Sequence, residues 1–168
     1  MKQLGVGLFV AGAAGLALLL GALAHAAERS ESGKYFDADG VPTYHVGEDG
    51  TVDWFTYSGF RRYHSDCHVC HGPDGLGSSF APSLVDSLKT MSYDDFADVV
   101  INGRENVGTS DQNKMPPFGL NPNVSCYLDD IYVYLKARSD GAIDRGRPGK
   151  KEPKSEETRA EESTCMGG

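Results

Sequence analysis

The chain has 168 residues, with 16 Lys and Arg against 24 Asp and Glu, a formal net charge of −8. That size allows one small domain with appendages, and the acidity excludes a nucleic-acid binder because phosphates repel it. A hydrophobic fraction of 39% excludes full disorder, while 21 Gly and 8 Pro imply long loops.

Lys2, an uncharged run over residues 4–24 and Ala24-His25-Ala26 read as a secretory signal over residues 1–26, cleaved after Ala26. The run approaches the ~20 residues of a membrane anchor, but it is rich in Gly and Ala and ends in small residues. Cleavage leaves no stable membrane insertion. Export places the mature chain in an oxidising compartment, where cysteines form thioether links or disulfides. Residues 27–52 are polar, with turn signals at Asp39-Gly40, Pro42 and Asp49-Gly50, and read as an N-terminal arm with a small hairpin around Tyr44 to Val46.

Residues 53–140 form the domain proper. Gly59, Tyr63 and Cys67 recur at i, i+4 and predict a first helix carrying all three on one stripe. Cys67-His68-Val69-Cys70-His71 follows. Two thiols separated by two residues reach the two vinyl groups of one haem, and the adjacent histidine then falls under the iron as proximal ligand. A thioredoxin-like redox pair lacks its βαβ surroundings here, and a zinc site lacks a second cysteine pair. After a loop containing Ala81-Pro82-Ser83, a helix is predicted from Ser92, with Asp95 as capping-box partner, through Phe96 and Val99 to Ile101, ended by Asn102-Gly103.

An iron held from one side needs a sixth ligand. Met115 lies 44 residues after His71, in a loop stiffened by Pro116 and Pro117, and is the candidate. Met91 and Met166 are assigned to packing or to no role. His64 and His68 are too near the attachment motif to cross to the far face, which leaves His45 as the other candidate. A last helix is predicted over residues 124–138, with Asn123 as N-cap and Leu128, Ile131, Tyr134 and Leu135 on one face. Residues 141–168 hold six basic and six acidic residues with only Ile143 and Met166 as large apolar side chains, and read as a solvated, disordered, charged C-terminal tail. Residues 27–140 then carry nine basic and eighteen acidic residues, so a partner steered by charge presents a basic surface.

On these motifs, residues 53–140 resemble the class I c-type cytochromes. The resemblance implies an all-α fold in which N- and C-terminal helices cross beside one covalent haem c, with Gly59 permitting close approach and Tyr63 and Tyr134 beside the haem. It implies a cofactor-binding set of Cys67, Cys70, His71, Met115, Pro82 and Tyr63. His71 and Met115 bind iron, and the Pro82 carbonyl accepts the His71 Nδ1 proton. Arg104 covers a haem propionate or is a plain surface residue. The arm at Tyr35 to Gly40, the Trp54, Gly59, Tyr63 spacing and the added pair Cys126 and Cys165 are similar to the four-cysteine c-type cytochromes related to methanol metabolism.

That narrower resemblance implies a monomeric periplasmic electron carrier rather than an enzyme. Its donor is a quinoprotein dehydrogenase of methanol or alcohol oxidation, and its acceptor an oxidase or another cytochrome. Two alternatives stand beside it: a haem subunit permanently bound to a dehydrogenase, and a haem ligand sensor or peroxidase. Haem uses two of the four cysteines, so an exported chain is expected to join Cys126 to Cys165, against a buried Cys126 with a free tail thiol or a bridge between chains.

Overall fold

The computed structural model describes residues 28–107 and 112–167; the signal segment 1–26 lies outside the described residues. The arm contributes three short antiparallel strands, β1 (Glu28–Arg29), β2 (Tyr35–Phe36) and β3 (Pro42–Thr43), in the order β1-β2-β3. Its hairpin is therefore not at Tyr44 to Val46. The Asp37 carboxylate accepts the N–H groups of Asp39 and Val41, both at 2.9 Å, and so turns the chain between β2 and β3. Val46 makes a single bridge to Val52 across the Asp49-Gly50 turn.

Helix α1 (Trp54–Asp66) starts where Asp53 accepts the Thr56 N–H at 2.8 Å and the Thr56 hydroxyl at 2.5 Å, satisfying orphan donors of the first turn. Short helix α2 (His68–His71), a 3-10 turn at Pro73–Gly75 and helix α3 (Leu84–Ser87) follow. Helix α4 (Tyr93–Asn102) begins as its sequence predicts, with Ser92 accepting the Asp95 N–H at 3.1 Å, and ends at Gly103, whose φ is +77°. Strands β4 (Arg104–Val107) and β5 (Gln112–Met115) pair antiparallel, with Arg104 opposite Met115.

The expected continuous helix over residues 124–138 is two pieces, α5 (Pro122–Ser125) and α6 (Leu128–Ser139). Asn121, not Asn123, caps the first piece, because Pro122 fits the first helical position, where no N–H is needed. Tyr127, at φ −125° and ψ 22°, breaks the run before α6. Helices α1 and α6 cross at the centre of the fold. Tyr63, Val133, Tyr134 and Leu135 are fully buried there.

The tail is not disordered. Residues 141–155 run back across the domain and lead into α7 (Glu156–Cys165). Val52 donates to Lys150 at 3.2 Å and accepts from Glu152 at 2.9 Å, while the Ser155 and Thr158 hydroxyls donate to the Ser32 carbonyl at 3.1 and 2.9 Å. Cys126 and Cys165 are joined in a disulfide with Cα atoms 5.8 Å apart. The tail needs no core of its own, since backbone pairing and a covalent tie supply what apolar burial does not. No helix among the described residues is long and apolar enough to cross a membrane.

Candidate functional site

Helix α1 delivers Cys67 at its end, where the Cys67 N–H still donates to Tyr63 at 2.9 Å. One further turn, closed by His71 N–H to the Cys67 carbonyl at 3.1 Å, brings Cys70 and His71 to the same side. All three line a cavity of about 360 Å³. Its remaining walls are largely apolar: Leu84, Phe96 and Val100 from α3 and α4, Phe118 from the following loop, and Ile131 and Leu135 from α6.

His71 is buried, and its Nδ1 lies 3.0 Å from the Pro82 carbonyl. A carbonyl can only accept, so Nδ1 carries the proton and Nε2 keeps the lone pair that binds a metal. Met115 lines the same cavity and is fixed from behind. Phe118 N–H donates to Val100 at 2.9 Å and Gly119 N–H to Ile101 at 3.1 Å, stitching the loop to the end of α4. A Cβ at Gly103 would stand 2.6 Å from the Met115 carbonyl, so only glycine lets the two segments meet. Arg104 and Lys114 also line the cavity.

One expectation is corrected. Tyr63 does not line the cavity: its hydroxyl donates to the Gly72 carbonyl at 2.5 Å, and its ring lies 5.7 Å from that of Tyr134. The stripe shared with Gly59 faces α6, so Tyr63 braces the backbone just after His71 and does not touch the space beside it. Met91, assigned to packing or to no role, packs against the core, and the wall it packs into is that of the cavity. Its position immediately before the Ser92 cap concealed this, because helical periodicity says nothing about a residue outside the helix. His45 stacks on Tyr35 at 4.7 Å and lies 3.9 Å from Glu152, and it is not among the cavity's lining residues. Met166 is exposed beyond α7.

Asp74, which the sequence did not single out, ties the loop after the attachment motif to the tail. It holds φ +59°, a left-handed conformation that Asp tolerates, and is buried just after the attachment motif. Its carboxylate accepts from Gly146 N–H at 3.0 Å and Arg145 Nε at 3.3 Å, and lies 3.7 Å from His64 Nε2. Burial pushes its pKa up, but the Gly146 and Arg145 hydrogen bonds, with His64 and Arg138 nearby, outweigh this and hold it below the usual carboxylate value. The sequence signal was only a Pro-Asp-Gly turn.

The donor set fits haem rather than its competitors. Cys67 and Cys70 are free thiols, and burial pushes the Cys67 thiol up to about 12, the opposite of an activated redox thiolate. No cluster of three or more His, Cys, Asp or Glu able to hold a metal occurs among the described residues. An apolar cavity with two thiols and an oriented imidazole on one wall suits a flat macrocycle with one iron.

Residues 56–135 match the family model described as cytochrome C oxidase, cbb3-type, subunit III. The chain is 51% identical over 141 residues to cytochrome c-553I of Paracoccus denitrificans, a match covering 84% of this chain and 62% of that protein, less than two thirds of its length. It is 45% identical over 96 residues to cytochrome c-555 of Methylococcus capsulatus, covering 56% of this chain and 72% of that one. The crystal structure of c-type cytochrome XoxG from Methylobacterium extorquens AM1 is similar with a TM-score of 0.77 at 54% identity, covering 84% of this chain and 87% of that one.

Proposed function

The chain belongs to the c-type cytochromes and carries covalent haem c, and from that premise we propose that it is a periplasmic one-electron carrier rather than an enzyme. Cys67 and Cys70 would anchor the group through thioether bonds, and His71 and Met115 would ligate its iron. The observation that carries this reading is that two iron-ligating side chains line one cavity: an imidazole oriented by Pro82, and a methionine whose loop is tied to the Val100 and Ile101 carbonyls through Phe118 and Gly119.

Haem c supplies a one-electron couple. The protein's part is to hold both ligands in place, so that little rearrangement accompanies a change of charge. Apolar side chains from α3, α4 and α6 exclude water and disfavour the more highly charged oxidised state, which together with a thioether ligand favours a positive potential. Val69 and Phe80 line the same cavity and are 72% and 74% exposed, giving a partner an apolar contact beside it. The donor in this reading is a quinoprotein dehydrogenase of methanol or alcohol oxidation, and the acceptor an oxidase or another cytochrome. It is supported by the arm, the Trp54 helix and the Cys126–Cys165 pair.

A redox titration of the secreted holoprotein, repeated under carbon monoxide, tests the proposal. One reversible single-electron wave, unmoved by the gas, is expected. A shift under carbon monoxide would favour a ligand sensor or peroxidase, and elution from gel filtration only in complex with a dehydrogenase would favour a permanent subunit.

A further inference from the structure

Although the chain is acidic, its tail places five basic residues within ten positions, from Arg145 to Lys154, and lays them along α1. Arg147 donates to the Tyr57 hydroxyl with its guanidinium 5.4 Å from that ring's centre, and Lys151 Nζ lies 5.0 Å from the Trp54 ring and 5.1 Å from the Tyr57 ring. These aromatic contacts fix two cations without neutralising them. One turn further along α1, Arg61 is exposed on the same outer face.

Pairing and position together separate these three from the other cations. Exposed Lys89 and Lys150 and half-buried Lys136 each hold a carboxylate, at 2.6, 3.1 and 2.5 Å. Among the described residues, Arg61, Arg147 and Lys151 make no ion pair. Arg62, Arg104 and Arg138 also lack a carboxylate, but Arg62 and Arg138 are only half-exposed, held by Asn123 and the Ile143 carbonyl, and Arg104 lines the cavity. At the near end, Arg145 is held by Asp74 in the loop that follows the haem-attachment motif. Beyond that paired residue, the unpaired cations form a stripe that follows the outer face of α1.

We infer that this stripe is a docking surface for an acidic patch on one of the carrier's two redox partners. The inference rests on the electron-carrier reading and adds to it a division of labour. The acidic remainder of the surface meets a basic partner, and the stripe meets an acidic one. Charges further apart than about 8 Å are screened at physiological salt, so a small acidic patch senses the local stripe rather than the net −8. An extended polyanion such as a membrane surface or nucleic acid spans well beyond the stripe and meets the acidic surroundings too.

The test is an NMR titration of isotopically labelled holoprotein with a short polyglutamate peptide at low salt. Shifts are expected at Arg61, Arg147 and Lys151, and the Arg61→Gln/Arg147→Gln/Lys151→Gln variant should bind about tenfold more weakly. Arg61→Gln alone, whose side chain makes no hydrogen bond or ion pair among the described residues, should show part of that loss without disturbing the tail. Shifts gathered at Arg104 and Lys114 instead, or unchanged affinity in both variants, would overturn the inference. So would concentration-dependent shifts at the stripe without peptide, which would make a second copy of the chain its occupant. No electron moves in this experiment, so its failure leaves the carrier reading standing, and failure of the redox titration leaves the docking result standing.

Discussion

The backbone carbonyl of Asp130 on α6 fills the space above Gly59 on α1, so closely that a methyl group added at Gly59 would lie 1.7 Å from its oxygen. This contact sets the closest approach of the two helices that bring Cys67 and Leu135 to one cavity. Gly59→Ala meets backbone rather than a yielding side chain, and should cost about 3 kcal/mol or more. The yield and urea midpoint of the holoprotein measure it. An unchanged midpoint would mean that the helices can part without loss.

How much of this was legible in the sequence depends on the range of the interaction. The cap at Ser92 and the attachment motif at Cys67 to His71 are local, with partners within a few residues, and composition and spacing reveal them. Tyr63 was placed on the right stripe but on the wrong neighbour, since periodicity does not say whether a buried face meets another helix or a cofactor. The tail was misread because its partners, Ser32, Val52 and Asp74, lie roughly 70 to 130 positions away and it contributes almost no apolar side chains by which to anticipate its docking.

Reduction of the Cys126–Cys165 disulfide should loosen that docking. The bond spans 39 residues, and closing such a loop removes about 4 kcal/mol of unfolded-chain entropy by the loop-entropy relation. Cys165→Ser should therefore lower the urea midpoint while keeping haem attached through Cys67 and Cys70. It should also expose residues 141–155 to proteolysis. Equal midpoints for the two proteins would show that the hydrogen bonds to Ser32 and Val52 suffice.

Asp130 makes stability depend on pH. Burial pushes its carboxyl up to about 7, with Asp129 and Glu162 adding to the rise and Ser58 and Lys34 opposing it. Its folded pKa lies above the unfolded value, so the folded state binds the extra proton between about pH 4 and 7. Stability from this group is complete below that window and is lost as pH rises through 7. Unfolding curves across the window should show a smaller fall with pH for Asp130→Asn than for the native protein. Identical slopes would contradict the assignment.

His71 and Pro82 predict a separate effect on the ligand field. Replacing Pro82 by Ala keeps a carbonyl but removes the ring that holds its direction, so the His71 Nδ1 hydrogen bond should lengthen and the imidazole become a weaker donor. A raised reduction potential with haem still attached is the expected result of a voltammetric comparison. An unmoved potential would reduce Pro82 to a loop residue.

The absorption spectrum of the oxidised holoprotein in the near infrared tests the central claim, that His71 and Met115 leave iron no open position. A sulfur-to-iron charge-transfer band should be present in the native protein, lost in Met115→Ala and kept in Met91→Leu, with Met115→Ala alone binding carbon monoxide and cyanide. A band that survives Met115→Ala and disappears in Met91→Leu would give the sixth position to Met91, and its absence from the native protein would contradict the closed iron altogether.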